Sequence, residues 1–202
     1  MNQQTIESFL EDLGAKQPTP GGGAASALTA AQGAALIEMV ARFSLGKKGS
    51  GNATIDWDAI AAEMAAHRRT FLDLAERDQA AFARVMDCYK REDSDPDKAT
   101  ALEEALVGAA EPPLQTIELA WKILGSLEPW VQKANAHVIS DAGIAVAHLQ
   151  AAIASSEFNV AINTKFMRNE QQSSSLRDRL RAVTDVYQSE CEKLRQLVHQ
   201  RI

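Results

Sequence analysis

A chain of 202 residues is long enough for one domain with a sizeable core. Its hydrophobic content of 46% rests on 35 alanines, while aromatics make up only 5%. Alanine combines the best helix propensity with little bulk, so this composition favours closely packed helices and speaks against a β sandwich or barrel. A net charge of −6 leaves no basic excess for a nucleic-acid interface, and an anionic ligand would need a local basic site.

Ile6, Phe9, Leu10 and Leu13 recur at helical spacing and stop at Gly14, which predicts a short amphipathic helix over 4–13. No basic stretch leads into an apolar run there, so no signal peptide is expected. Gln17-Pro18-Thr19-Pro20-Gly21-Gly22-Gly23 breaks the helix. A second helix follows over 24–45, with Ser26, Ala30 and Gly33 on a narrow face that lets another backbone come close. Its most apolar stretch carries Gln32, Glu38 and Arg42, so a membrane span is not expected. Gly46-Lys47-Lys48-Gly49-Ser50-Gly51-Asn52 ends this helix, with two lysines at its negative pole.

A long helix over 56–91 is predicted from Ile60, Met64, His67, Phe71, Leu74, Asp78, Phe82, Val85 and Tyr89 at spacings of three and four. Asp93-Ser94-Asp95-Pro96 reads as a turn with N-cap chemistry, followed by a helix over 99–124, kinked or interrupted at Pro112-Pro113. A break over 125–129, a second long helix over 133–167, a polar loop over 169–174 and a final helix over 176–198 complete the chain. The expected fold is all-α, a single domain of about six helices. Cys88 and Cys191 form neither a CxxC motif nor a disulfide framework, which fits a reducing, cytoplasmic compartment. Four scattered histidines offer no HExxH or Cys/His cluster, so no metal site is expected.

Polar groups fall where a bundle core should be apolar. Asp78 shares a stripe with Leu74, Phe82 and Val85, so its carboxylate must be ion-paired, hydrogen-bonded or facing a cavity. His67 on the same stripe fits a hydrogen-bonded core histidine. On the second long helix Asp141 and Asn159 are eighteen residues, or five turns, apart and share a face, with His137 and His148 near that line and Asn163 one turn beyond. Such a row is either the wall of a polar pocket or a solvated face. The Gly21-Gly22-Gly23 loop opens onto a helix whose free N–H groups can hold a carboxylate, phosphate or carbonyl. It lacks the lysine and the preceding strand of a nucleotide-binding loop. Lys47 and Lys48 complement the helix dipole or receive an anionic tail.

In chain order, Pro20-Gly21-Gly22-Gly23-Ala24-Ala25-Ser26, Gly33-Ala34-Ala35-Leu36, Gly46-Lys47-Lys48, Asp78-Gln79-Ala80-Ala81-Phe82, Pro112-Pro113, Asn135 with Ser140-Asp141, and Phe158-Asn159-Val160-Ala161-Ile162-Asn163 span almost the whole sequence. Jointly they resemble the cyclodeaminase/cyclohydrolase family, which comprises the C-terminal domain of formiminotransferase-cyclodeaminase and stand-alone methenyltetrahydrofolate cyclohydrolases. The resemblance implies long antiparallel helices, a homodimer, a tetrahydrofolate derivative as substrate and no permanently bound cofactor. It implies Asp141 and Asp78 as catalytic residues, and Gly21, Gly22, Gly23, Ser26, Lys47, Lys48, Asn135, Ser140, Asn159 and Asn163 as folate-binding ones. The expected activity is cyclohydrolysis of 5,10-methenyltetrahydrofolate to 10-formyltetrahydrofolate. Formiminotetrahydrofolate cyclodeamination and a non-catalytic folate-binding module are the alternatives. The two ends of the helix over 24–45 are too far apart for one monoglutamate folate, so the lysines either serve a polyglutamate tail or meet the glycine loop of a second subunit.

Overall fold

A computed structural model of the chain describes residues 4–45 and 55–202. Helix α1 spans Ile6–Gly14, with the Thr5 hydroxyl accepting from the Ser8 N–H. Helix α2 spans Gly22–Ser44 and α3 spans Trp57–Lys90, the latter capped by Asp56, which accepts from the Ala59 N–H at 2.9 Å. Helix α4 covers Lys98–Val131. A single 3-10 turn, Ala136–Val138, leads into α5 over Ile139–Lys165. Helices α6, Glu170–Thr184, and α7, Tyr187–His199, close the chain. No strand occurs among the described residues, and the fold is an all-α bundle.

The central pair is α2 and α5, which pack on each other, with α3 against α2 and α4 against both α3 and α5. Small side chains make the central contact possible: a Cβ on Gly33 would stand 3.0 Å from Leu149 Cγ and 3.2 Å from the Ala145 carbonyl. Ser26 and Ala30 lie buried on the same helix, as the narrow face requires. Both α2 and α5 are long and apolar enough to cross a bilayer, but here they form the middle of the bundle.

Contacts fix the helix directions. Gly22 lies beside Asn159, Gly33 beside Leu149, and Ser44 Oγ accepts from the Asn135 N–H, so α2 and α5 are antiparallel. Gly23 meets Asp78 while Glu38 accepts from Arg68, so α2 and α3 are antiparallel too. Helices α3 and α5 therefore run parallel on either side of α2.

Four expectations shift, each for a local reason. Helix α4 does not break at 125–129 but runs on to Val131. Gly125 and Pro129 are both exposed, so the carbonyl that Pro129 leaves open faces water, while buried Ile123, Leu124, Leu127 and Val131 hold the last turns. The second long helix begins at Ile139 rather than 133, because the Asn135 side chain accepts from the His137 N–H and caps a 3-10 turn. The polar loop over 169–174 is the first turn of α6: Asn169 accepts from the Gln172 N–H, and Glu103 receives the Arg168 and Asn169 N–H groups. The final helix runs as two pieces separated at Asp185-Val186. His67 is half-buried and bonded to Glu63 at 3.2 Å.

Candidate active site

Helix α2 begins without a side-chain cap of its own. Its N-cap is Gly21, so the N–H groups of its first turn need partners from elsewhere. Asp78 of α3 supplies one: its carboxylate takes the Ala24 N–H and lies against the Cα of Gly23. A Cβ at position 23 would overlap that carboxylate, so glycine is required there for closeness, with no unusual backbone angle involved. Burial pushes the Asp78 carboxyl up to about 6, held back by the Ala24 N–H. Among the described residues no lysine or arginine lines the cavity that Asp78 faces. The ion-pair alternative for Asp78 thus gives way to the hydrogen-bonded, cavity-facing one.

That cavity, of about 310 Å³, lies where α3 and α5 extend past the start of α2. Its floor is Gly21, Gly22, Gly23 and Asp78, closed on one side by Pro18 and Thr19, with Thr19-Pro20 in the cis form. From α5 come Asn159 and Asn163. The Asn159 side chain sits over Gly22, where a Cβ would meet it at an ordinary 3.7 Å. The Asn163 amide nitrogen donates to the Ala109 carbonyl of α4 at 3.1 Å and to the Asn159 carbonyl at 2.9 Å. Above this polar floor the walls turn apolar, with Phe82 and Tyr89 on α3, Ile162 on α5 and Phe166 at the C-cap of α5, all at least a third exposed.

The structure divides the expected site residues between the two ends of α2 and α5. Gly21, Gly22, Gly23, Asp78, Asn159 and Asn163 meet at one end. Ser26 is buried on α2 next to this cleft but does not line it; its hydroxyl donates to the Gly22 carbonyl at 2.7 Å. At the other end, Asn135 is spent as a brace, its amide donating to the Phe43 carbonyl at 2.7 Å and its N–H to Ser44. Ser140 is exposed and lines a groove with Ile144, Ala147, Arg195 and His199. Asp141 lies in the first turn of α5. It is eighteen residues, or about 27 Å, from Asn159, so the row of polar groups on α5 does not form one pocket within one chain. Lys47 and Lys48 lie outside the described residues.

The aromatic walls were missed because Phe82 and Tyr89 continue the core stripe of α3. Only the point at which α2 ends, a tertiary fact, decides that they face a cavity instead of a neighbouring helix.

Fold and site together define a class: an all-α domain whose central helix presents its N-terminus, covered by a half-buried carboxylate, at the base of a cleft with aromatic walls. The chain belongs to the formiminotransferase-cyclodeaminase family, whose model matches residues 5–182. It is 35% identical over 166 residues to a methenyltetrahydrofolate cyclohydrolase of Methylorubrum extorquens, covering 80% of each chain. It is 27% identical to the formimidoyltransferase-cyclodeaminase of Rattus norvegicus over 87% of this chain, and matches only 33% of that longer protein. Among solved structures, a formiminotetrahydrofolate cyclodeaminase from Thermotoga maritima superposes with a TM-score of 0.85 at 28% identity, covering 99% of this chain and 96% of that one.

Proposed function

We propose that this chain is a cytoplasmic methenyltetrahydrofolate cyclohydrolase, working as a single helical domain in a homodimer. The observation that carries the reading is Asp78, a carboxylate with its pKa raised to about 6 at the base of a cleft that no other charged side chain lines among the described residues. The likeness to the Methylorubrum cyclohydrolase supports the choice of reaction.

The methenyl bridge between N5 and N10 of the substrate is a cationic amidine, which a lone carboxylate attracts. Ionised Asp78 takes a proton from water as the water oxygen adds to the methenyl carbon. The hydroxyl proton then passes to N5 as the carbon–N5 bond breaks and the formyl C=O forms, so one proton leaves overall. The N–H groups of α2's first turn lie within the same cleft to stabilise the developing oxygen, and the Asn159 and Asn163 side chains line it to hold the pterin. The aromatic walls suit the flat aminobenzoyl ring at the mouth.

A two-fold partner accounts for the distant residues. Ser140, Ile144, Ala147, Ala151, Ser155, Phe158, Ile162 and Phe166 recur at spacings of three and four on the outward side of α5, small in the middle and mostly apolar toward the ends. Less than half of this helix's apolar stretch is buried within the chain. Two copies packed antiparallel through this face would bring Ser140 and Asp141 of one to the cleft of the other, with Lys47 and Lys48 meeting the glutamate carboxylates.

The second reading, cyclodeamination of 5-formiminotetrahydrofolate, is favoured by the Thermotoga structure and needs the same pocket with a proton donor for departing ammonia. Loss of methenyltetrahydrofolate absorbance with the purified protein, run beside 5-formiminotetrahydrofolate with ammonia detection, separates the readings. Bleaching above the spontaneous rate without ammonia chemistry is the expected result. Ammonia release alone selects the cyclodeaminase, and a chromophore protected from decay selects a binder without turnover.

A further inference from the structure

Helix α4 passes through two consecutive prolines without ending. In a continuous helix the N–H of residue 113 would donate to the carbonyl of residue 109, and proline has no N–H to give. Likewise Pro112 leaves the Gly108 carbonyl open. The two orphans differ in surroundings. Gly108 is exposed, so water can serve it, whereas Ala109 is only 4% exposed and its carbonyl needs a partner from the protein. That partner is the side-chain amide of Asn163, at 3.1 Å.

The same amide nitrogen also donates to the Asn159 carbonyl at 2.9 Å. Both partners are carbonyls, which only accept, so the nitrogen of Asn163 must face them. Its oxygen is thereby turned away from both, on a residue that lines the cleft beside Asp78. We propose that Pro113 is a positioning residue for this site: by withholding an N–H it keeps the Ala109 carbonyl open for Asn163 and so sets which way that amide presents its oxygen. The inference rests on the reading of this cleft as the folate site, but the coupling between Pro113 and Asn163 does not.

The test is a double-substitution cycle with Pro113→Ala and Asn163→Asp, read in melting temperature and in the kinetics of methenyltetrahydrofolate hydrolysis. Asn163→Asp alone replaces the donor with an acceptor facing the Ala109 carbonyl, so it should lower the melting temperature by several degrees. Pro113→Ala should hold or raise it, because the alanine N–H restores the helical bond, while KM rises about fivefold as the Asn163 amide, left with the Asn159 carbonyl as its other anchor, is held less firmly. Combined, the two should be less destabilising than their sum, since the alanine N–H then satisfies the carbonyl that the aspartate cannot. Pro112→Ala, which returns a donor only to exposed Gly108, should leave KM within twofold.

Strict additivity in melting temperature overturns the coupling, and so does a KM that Pro112→Ala raises as much as Pro113→Ala does. Coupling in stability with an unchanged KM for Pro113→Ala removes the positioning role. A wild-type protein inert toward both folates defeats the functional reading, and the melting cycle alone then decides the coupling. If Pro113→Ala does not fold, Pro113→Ser supplies the same N–H and the same comparison.

Discussion

The carboxylate of Asp78 lies so close to Gly23 that no side chain fits between them, while Asn159 leaves ordinary van der Waals room over the neighbouring Gly22. Two adjacent glycines thus carry different constraints. Gly23→Ala should displace Asp78 from the Ala24 N–H, lowering kcat at least 100-fold and destabilising the protein. Gly22→Ala should keep kcat within about threefold, since alanine also has the better helix propensity there. Steady-state kinetics and melting of both variants check the contrast, and equal effects would refute it.

Asp78 also opposes stability near neutral pH. Its folded pKa of about 6 exceeds the usual 3.8, so between these values the folded protein keeps a proton that the unfolded chain has lost. Its contribution to stability is therefore complete below about pH 4 and lost as the pH rises through 6. Asp78→Asn retains an oxygen for the Ala24 N–H and removes the charge. It should melt higher than the wild type at pH 8, by an amount on the order of 1–3 kcal/mol, and match it near pH 4. A variant that melts lower at both pH values would make Asp78 a structural anchor instead.

How much of this was legible before the structure depends on what kind of contact each residue makes. Asp78 stood out because a carboxylate interrupts an apolar stripe, and Gly33 because small residues recur on one face of α2; both signals are local periodicity. Asp141 and Asn159 also share a helical face, yet five turns separate them, and periodicity reports direction around an axis without reporting distance along it. Asn135 carries a pocket-like side chain but uses it to tie α2 to the turn before α5. The continuation of α4 through Pro129 depends on buried Leu127 and Val131, which no window of helix propensity contains.

The shared-site arrangement predicts complementation. Asp78→Asn and Asp141→Asn should each be inactive alone. Mixed under conditions that exchange subunits, half of the dimers are hybrids with one intact site, restoring about a quarter of wild-type activity. If each chain holds its whole site, the mixture stays inactive. Lys47→Ala with Lys48→Ala should raise KM with little change in kcat, an effect that fades as salt increases.

The cleft walls should report on binding more than on chemistry. Phe82→Ala, Tyr89→Ala and Phe166→Ala each remove an aromatic face from the mouth and should raise KM roughly tenfold with kcat within a few-fold. Inhibition by p-aminobenzoylglutamate should weaken in parallel. A fall in kcat at unchanged KM would place the reacting carbon among these rings rather than over Asp78.

The central claim is that Asp78 moves the proton at the one-carbon bridge, and kcat/KM for methenyltetrahydrofolate hydrolysis between pH 5 and 8, which follows the ionisation of the free enzyme, tests it most directly. With ionised Asp78 as the base, the wild-type rate should climb through an apparent pKa near 6 and level off above it. Asp78→Asn should bind the chromophore, lose that limb and turn over at least 100-fold more slowly. A variant that keeps both the wild-type rate and the limb near pH 6 would contradict the account.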